Sequence, residues 1–305
     1  MIAIMEIIKA DTIGEYDRFF GFCTRHSLVD VVHFNRNDNQ PTHKMAFGLY
    51  ALFLIKTVGI TMDYGKTQYD FNEGTVVCLA PGQTIGVNRM PGGPVPEAFG
   101  LLFHPDIMRG AGLSDACMKR YTFFSYSSNE ALHLSLDECM VIQDYMKKID
   151  DELGRTPDRY SQRLLLLNIE VLLDYCMRFY ERQFASRMKI NSDVFMRFEQ
   201  LLDVYWEAGT ARSLGLPTVK YFADKVCLSP NYFGDLVKAA TGVTARDHIR
   251  LKIIEKAKDA LLMPEMGTKR VADMLGFQYP QHFIRFFKGL AGCTPKEYRA
   301  MNGIV

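Results

Sequence analysis

The side chains best placed to do chemistry come in two matched sets near the carboxyl end. Gln281, His282, Arg285 and Lys288 recur at helical spacing, and Asn231, Tyr232, Asp235 and Lys238 do the same further upstream. Glutamine can pair with adenine, and arginine with guanine, through two hydrogen bonds each. Aspartate can accept from the amino group of cytosine, and lysine neutralises phosphate. The chemistry these types share is recognition of a base-paired polyanion. Metal chemistry has less to work with, because no two of the seven histidines (His26, His33, His43, His104, His133, His248, His282) are separated by one residue. No metal and no cofactor is expected.

The elements that would carry these side chains are written twice. Thr218–Lys238 and Thr268–Lys288 share Ala223-Asp224 with Ala272-Asp273. One position out of step they share Phe233 with Phe283, Lys238 with Lys288, and Gly242-Val-Thr244 with Gly292-Cys-Thr294. A period that occurs only twice is a duplicated supersecondary unit, too short for a solenoid. In the first copy Thr218 is placed to cap a helix whose Val219, Phe222, Ala223 and Val226 share one face. Cys227-Leu228 leaves room only for a sharp turn. Ser229 then caps a second helix with Pro230 at its first position. Phe233, Leu236 and Val237 point inward, which turns Asn231, Tyr232, Gly234, Asp235 and Lys238 toward solvent. In the second copy Thr268 is the cap, Gly276 the turn, and Phe283, Phe286 and Phe287 the inner stripe. A short helix, a sharp turn and a second helix with a polar outer face is how a helix-turn-helix meets the major groove. For one copy alone, an ordinary helical hairpin with a solvated face explains the pattern equally well. Two capped copies at matched spacing favour the groove-reading form.

Ser229-Pro-Asn-Tyr-Phe-Gly-Asp-Leu-Val-Lys238, Ala272-Asp-Met-Leu-Gly-Phe277, Phe283-Ile-Arg-Phe-Phe-Lys288 and Gly292-Cys-Thr-Pro-Lys-Glu-Tyr-Arg299 resemble the AraC/XylS family of bacterial transcription regulators. The resemblance covers roughly residues 190–300. It implies two recognition helices entering successive major-groove segments on one face of a duplex, joined by a rigid helix for which Arg246–Leu262 is the candidate. Carried over by position, it gives base contact to Gln281, His282 and Arg285, with Pro280 at the helix start. Many members have an arginine where this chain has Asp235, so Asn231 and Tyr232 are the stronger base-reading candidates in the first unit.

Ahead of these units the chain changes character. Residues 1–187 hold 19 Lys+Arg against 23 Asp+Glu, and residues 188–305 hold 17 against 12, within a net charge of +1. A basic tail on an acidic body suits a nucleic-acid-binding module joined to one that does not bind. The seven cysteines are scattered and odd in number, which argues against a disulfide framework. Leu164–Leu173 is the longest apolar-rich run of the helical region, and it is broken by Asn168 and Glu170, well short of the about twenty residues a membrane span needs. A soluble cytoplasmic protein is expected.

From Lys44 to Phe103 short apolar runs punctuated by Gly, Pro, Asp and Asn predict strands of a small barrel or sandwich: 47–56, 59–62, 68–71, 74–79, 84–87 and 98–103. Tyr69–Gln83 resembles the strand–turn–strand passage of cupin-like sensor domains. Ser135–Phe184 predicts two helices, the second apolar over more than half its circumference through Leu164, Leu165, Leu167, Ile169, Val171, Leu172, Tyr175, Cys176 and Phe179. That width fits burial on both the body and a partner helix, or the core of a monomer. A link is expected at 185–191.

The fold class read from this is multidomain α+β: a cupin-like β-barrel sensing domain (1–134), a helical dimerisation pair (135–187) and an all-α domain with two helix-turn-helix units (188–305). The function read is sequence-specific transcription regulation, with double-stranded DNA as partner, a small-molecule effector at the barrel, a homodimer, and, through the resemblance, RNA polymerase. It is not read as an enzyme. Two alternatives stand beside it. One is a cupin-type metalloenzyme with helical accessory domains. The other is a regulator without effector, whose barrel serves dimerisation or protein contacts.

Overall fold

A computed structural model of the protein describes residues 7–34, 43–56, 60–64, 67–68, 74–89, 97–109, 118–127, 130–186 and 188–304. The chain divides into two compact units, 1–186 and 187–305.

The first unit is built on two five-stranded sheets. One has the order β1 (Ile7–Ala10), β3 (His43–Phe47), β8 (Thr84–Arg89), β5 (Ile60–Tyr64), β6 (Thr67–Gln68). The other has β10 (Leu132–His133), β7 (Thr75–Leu79), β4 (Tyr50–Ile55), β9 (Ala98–Phe103), β2 (Val29–Phe34). β1 pairs with β3 in parallel, and the other pairings are antiparallel. The expected barrel is not closed: among the described residues no ladder joins the two sheets, which face each other as a sandwich. Met45, Phe47 and Ile85 of the first sheet meet Val32, Phe34, Phe53, Val77 and Leu102 of the second in one apolar cluster, and Ile13 and Tyr16 of α1 (Ile13–Phe20) join it.

The unbroken apolar texture of β4 and β7 follows from burial on both faces, since Ala51–Ile55 and Thr75–Leu79 are all buried. After the short helix α2 (Asp106–Arg109), α3 (Leu136–Leu153) and α4 (Ser161–Ser186) pack together and against β2, β9 and β10. A capping box formed by Ser135 and Glu138 starts α3. Glu138 also takes Arg182 of α4 through two bonds of 3.0 and 2.6 Å, which ties the two helices together. Gly100 lets the sheet pack tightly, because a Cβ there would lie 2.6 Å from the Phe53 ring.

Two expectations shift here. The run 47–56 is two strands, parted at Gly48, whose N–H bonds to the Ala10 carbonyl. The link at 185–191 is helical on both sides: 185 and 186 close α4, and 188–191 open α5 (Met188–Glu207). Residue 187 lies outside the described residues, as do 69–71 of the expected strand 68–71.

The second unit is all helix. After α5 come α6 (Thr210–Leu214), α7 (Val219–Lys225), α8 (Pro230–Thr241), α9 (Ala245–Leu261), α10 (Thr268–Leu275), α11 (Pro280–Ala291) and α12 (Pro295–Met301). One core runs through both copies of the repeat, from Phe198 and Leu202 of α5 through Phe222, Phe233, Ile249 and Ile253 to Val271, Phe283 and Phe287. The Phe198 ring lies 5.1 Å from those of both Phe222 and Phe233, edge-to-face geometry worth roughly 0.5–1.5 kcal/mol per pair beyond area burial.

Candidate nucleic-acid interface

The first repeat folds as its caps dictate. Thr218 accepts the Tyr221 N–H, and α7 follows. The chain then reverses at Cys227, whose φ of 59° is a conformation few non-glycine residues adopt. The Leu228 N–H closes the turn on the Ala223 carbonyl. Ser229 accepts the Tyr232 N–H, Pro230 takes the first position of α8, and Gly242 ends it at a φ of +78°. Asn231 and Lys238 are exposed, and Asp235 is half-buried. Tyr232 is the correction in this helix. The sequence pattern turns it outward, yet it is buried with Phe233, Leu236 and Val237. The buried arc of α8 is wider than the three-residue stripe that the pattern marks out, and this takes Tyr232 off the outward face.

The second repeat differs at its start. Gly267 is the N-cap of α10, Thr268 is already helical, and no side chain caps the end. The turn falls at Gly276, as expected. Pro280 opens α11, which places Gln281, His282, Arg285 and Lys288 in solvent and Phe283 and Phe287 in the core, with Phe286 half-buried. The Tyr279 ring stands edge-on to His282 at 5.5 Å. The outward set is therefore one contiguous surface of Gln, His, Arg and Lys, each with a donor to offer to base or phosphate.

The expected turn at Gly276 and two contacts that sequence reasoning passed over, made by Tyr205 and Arg299, brace this domain. Gly276 lies so near the α6–α7 connection that a Cβ there would sit 2.6 Å from the Gly215 carbonyl group. The Gly215 carbonyl in turn accepts the Tyr205 hydroxyl at 3.0 Å. Arg299 of α12 donates to the carbonyls of Leu261, Met263, Pro264 and Met266 at 2.7–3.1 Å. One guanidinium thus takes the last carbonyl of α9 and three in the connection into α10, which it fixes in place. Arg299 stands inside the family-like phrase 292–299, where its type alone gave no hint of this task.

Among the described residues no group of three or more His, Cys, Asp or Glu is placed to hold a metal ion, and no helix is long and apolar enough to cross a membrane.

The sequence of this unit is similar to known helix-turn-helix proteins. Residues 222–301 match the family model described as "Helix-turn-helix domain". The chain is 32% identical over 82 residues to an uncharacterized HTH-type transcriptional regulator, YtdP, of Bacillus subtilis, covering 27% of this chain and 11% of that protein. It is 30% identical over 82 residues to the xylose operon regulatory protein of Escherichia coli K12, covering 27% and 21%. A solved structure of the C-terminal domain of the two-component response regulator yesN from Fusobacterium nucleatum is 31% identical, covering 33% of this chain and 96% of that one, with a TM-score of 0.29. The chain thus spans between about a tenth and a quarter of the length of the curated relatives it matches.

Proposed function

We propose that this chain, whose C-terminal unit is a helix-turn-helix domain of the AraC/XylS family, is a sequence-specific DNA-binding transcription regulator. The observation that carries the reading is the pair of helix–turn–helix units on one core, the second presenting Gln281, His282, Arg285 and Lys288 to solvent. Gln281, His282 and Arg285 read bases, with Pro280 setting the helix start. Lys288 and Lys238 bind phosphate, while Asn231 and Asp235 take what base contact the first unit makes. α9 joins the two units. The half-buried position of Asp235 and its charge make the first unit the weaker reader.

The two-sheet unit serves as the sensing domain for a small-molecule effector, and α3 with α4 forms the dimerisation pair. Leu164, Leu167 and Val171 of α4 support that assignment, because they stay exposed while Leu165, Ile169, Leu172, Cys176 and Phe179 of the same helix are buried. The protein works in the cytoplasm, where bacterial DNA is, contacts RNA polymerase as regulators do, and performs no catalysis of its own. The test is selection of bound sequences from a random DNA pool with the full chain. Enrichment of a motif long enough for two major-groove segments is the expected outcome, and a pool that stays random under modest salt refutes the reading.

A further inference from the structure

We propose that the cleft between the two helix-turn-helix units is a third DNA contact, in which Arg246 and Arg250 seat the sugar-phosphate backbone of the bound duplex. This rests on the reading of the C-terminal unit as DNA-binding and extends it to a surface that neither recognition helix supplies. The cleft has a volume of about 470 Å³ and takes Pro217 from the approach to α7, Val219 from its first turn, Arg246, Arg250 and Ile253 from α9, and Phe286 from α11. Its walls therefore come from both repeats, and its floor is the helix that joins them.

Position is the first argument. Two reading helices tethered by a 17-residue helix, about 25 Å long, can meet one duplex together only in neighbouring major-groove segments, roughly 34 Å apart on one face. Between such segments a duplex presents its minor groove and the two phosphate strands that border it. Between the two units, the protein presents α9 and this cleft.

Charge is the second. Of the cations on α9, Lys252 and Lys256 share the Asp203 carboxylate of α5 at 3.5 and 3.3 Å, which offsets part of their charge. Arg246 has no acidic partner among the described residues. Arg250, one turn on, shares the Asp247 carboxylate at 3.4 Å and lies 5.9 Å from the Phe286 ring. Arginine suits phosphate because its fork donates two parallel bonds, and an aromatic neighbour orients it without taking those donors. The apolar lining accepts the sugar faces and lowers the local dielectric around the guanidinium groups. Asp247 already engages Arg250, so Arg246 carries the larger share.

Because Phe286 directly follows Arg285 in α11, a strand seated in the cleft touches the flank of the recognition helix and sets its depth in the groove.

The experiment measures affinity against salt for the full chain on a fluorescent duplex of roughly 30 bp, about three helical turns, carrying a sequence selected by the wild-type protein, and on an unrelated duplex. Removing one phosphate-binding side chain lowers the slope of log affinity against log salt by about 0.9. Arg246→Ala is expected to lower it by about one and Arg246→Ala/Arg250→Ala by one to two, equally on both duplexes, with thermal melting unchanged. Arg246→Lys/Arg250→Lys keeps most of the slope. A double alanine variant that is folded and keeps the wild-type slope and affinity overturns the proposal, and so does one that changes sequence preference while the slope stays fixed. If the wild-type protein prefers no sequence, it is the regulator reading that fails. The slope on the unrelated duplex then still decides whether the cleft holds backbone.

Discussion

At the scale of single residues, the outward face of α11 separates two kinds of contact that the same substitution can tell apart. Arg285 and Lys288, three residues on, are both exposed on α11; in the proposed reading the first meets a base edge and the second phosphate. Replacing Arg285 with Ala should cost about 1–3 kcal/mol on the selected sequence and little on random DNA, whereas Lys288→Ala should weaken both alike and lower the salt slope by about one. Parallel titrations on the two duplexes check this, and equal losses for both variants on both duplexes contradict it. A second residue-scale effect sits far from DNA. Asp30 is buried in β2, with Arg25 bridging it at 3.0 Å to Asp150 of α3 at 2.7 Å. Burial raises its pKa from 3.8 to about 6, against the opposing pull of Arg25. The unfolded chain releases this proton more readily, so ionised Asp30 opposes folding. That penalty is complete above pH 6 and fades as pH falls toward 4. Calorimetry of the full chain and of Asp30→Asn between pH 4.5 and 7 should show wild-type stability gaining on the variant as pH falls, by at most about 1.4 kcal/mol per pH unit. A difference that does not vary with pH would show that Asp30 does not titrate in that range.

At the scale of elements, turns decide where the second helix of each repeat lies, and the turn of the second repeat is the stricter one. Gly276 has a φ of +92° and stands against the Gly215 backbone, while Gly242, at +78°, would leave an added Cβ with nothing within 4 Å. Alanine at either costs about 1–2 kcal/mol for the left-handed conformation. At Gly276 the clash adds roughly 1–3 kcal/mol more. Thermal denaturation should therefore rank Gly276→Ala clearly below Gly242→Ala, and equal losses would mean that the α6–α7 connection yields freely. What the sequence makes legible divides along this same line. Caps, turns and the period of apolar residues are readable because they are local: Ser229-Pro230, Gly276 and the strands 74–79 and 98–103 fall within a residue or so of where the pattern puts them. Properties set by distant neighbours are not. Tyr232 is buried because the core beside α8 is broad, Arg299 reaches carbonyls more than thirty residues away, and whether ten short strands close into a barrel or stop as two sheets depends on pairings no single run encodes.

At the scale of the whole molecule, the question is what couples one DNA-reading unit to another. Leu164, Leu167 and Val171 follow at i, i+3 and i+7 on α4, with 43%, 45% and 37% of their surfaces exposed, on a helix where Leu165, Ile169, Leu172 and Cys176 are buried. An exposed stripe at that spacing suits the proposed helix–helix contact between two copies. A partner helix would complete the apolar width that the sequence of α4 carries. Two copies joined there hold two reading units at once, and binding of the second becomes intramolecular, a gain of roughly 10²–10⁴ in affinity when the geometry allows both to engage. Leu164→Glu/Leu167→Glu places two carboxylates in that seam without touching the core. Sedimentation of the full chain should then show dimer passing to monomer. Affinity for DNA with two half-sites should fall by at least about tenfold, while affinity for one half-site and the melting temperature of the helical unit stay the same. A wild-type chain that sediments as a monomer at micromolar concentration, or a variant that keeps its paired-site affinity, would leave the stripe as surface and place the coupling between copies elsewhere.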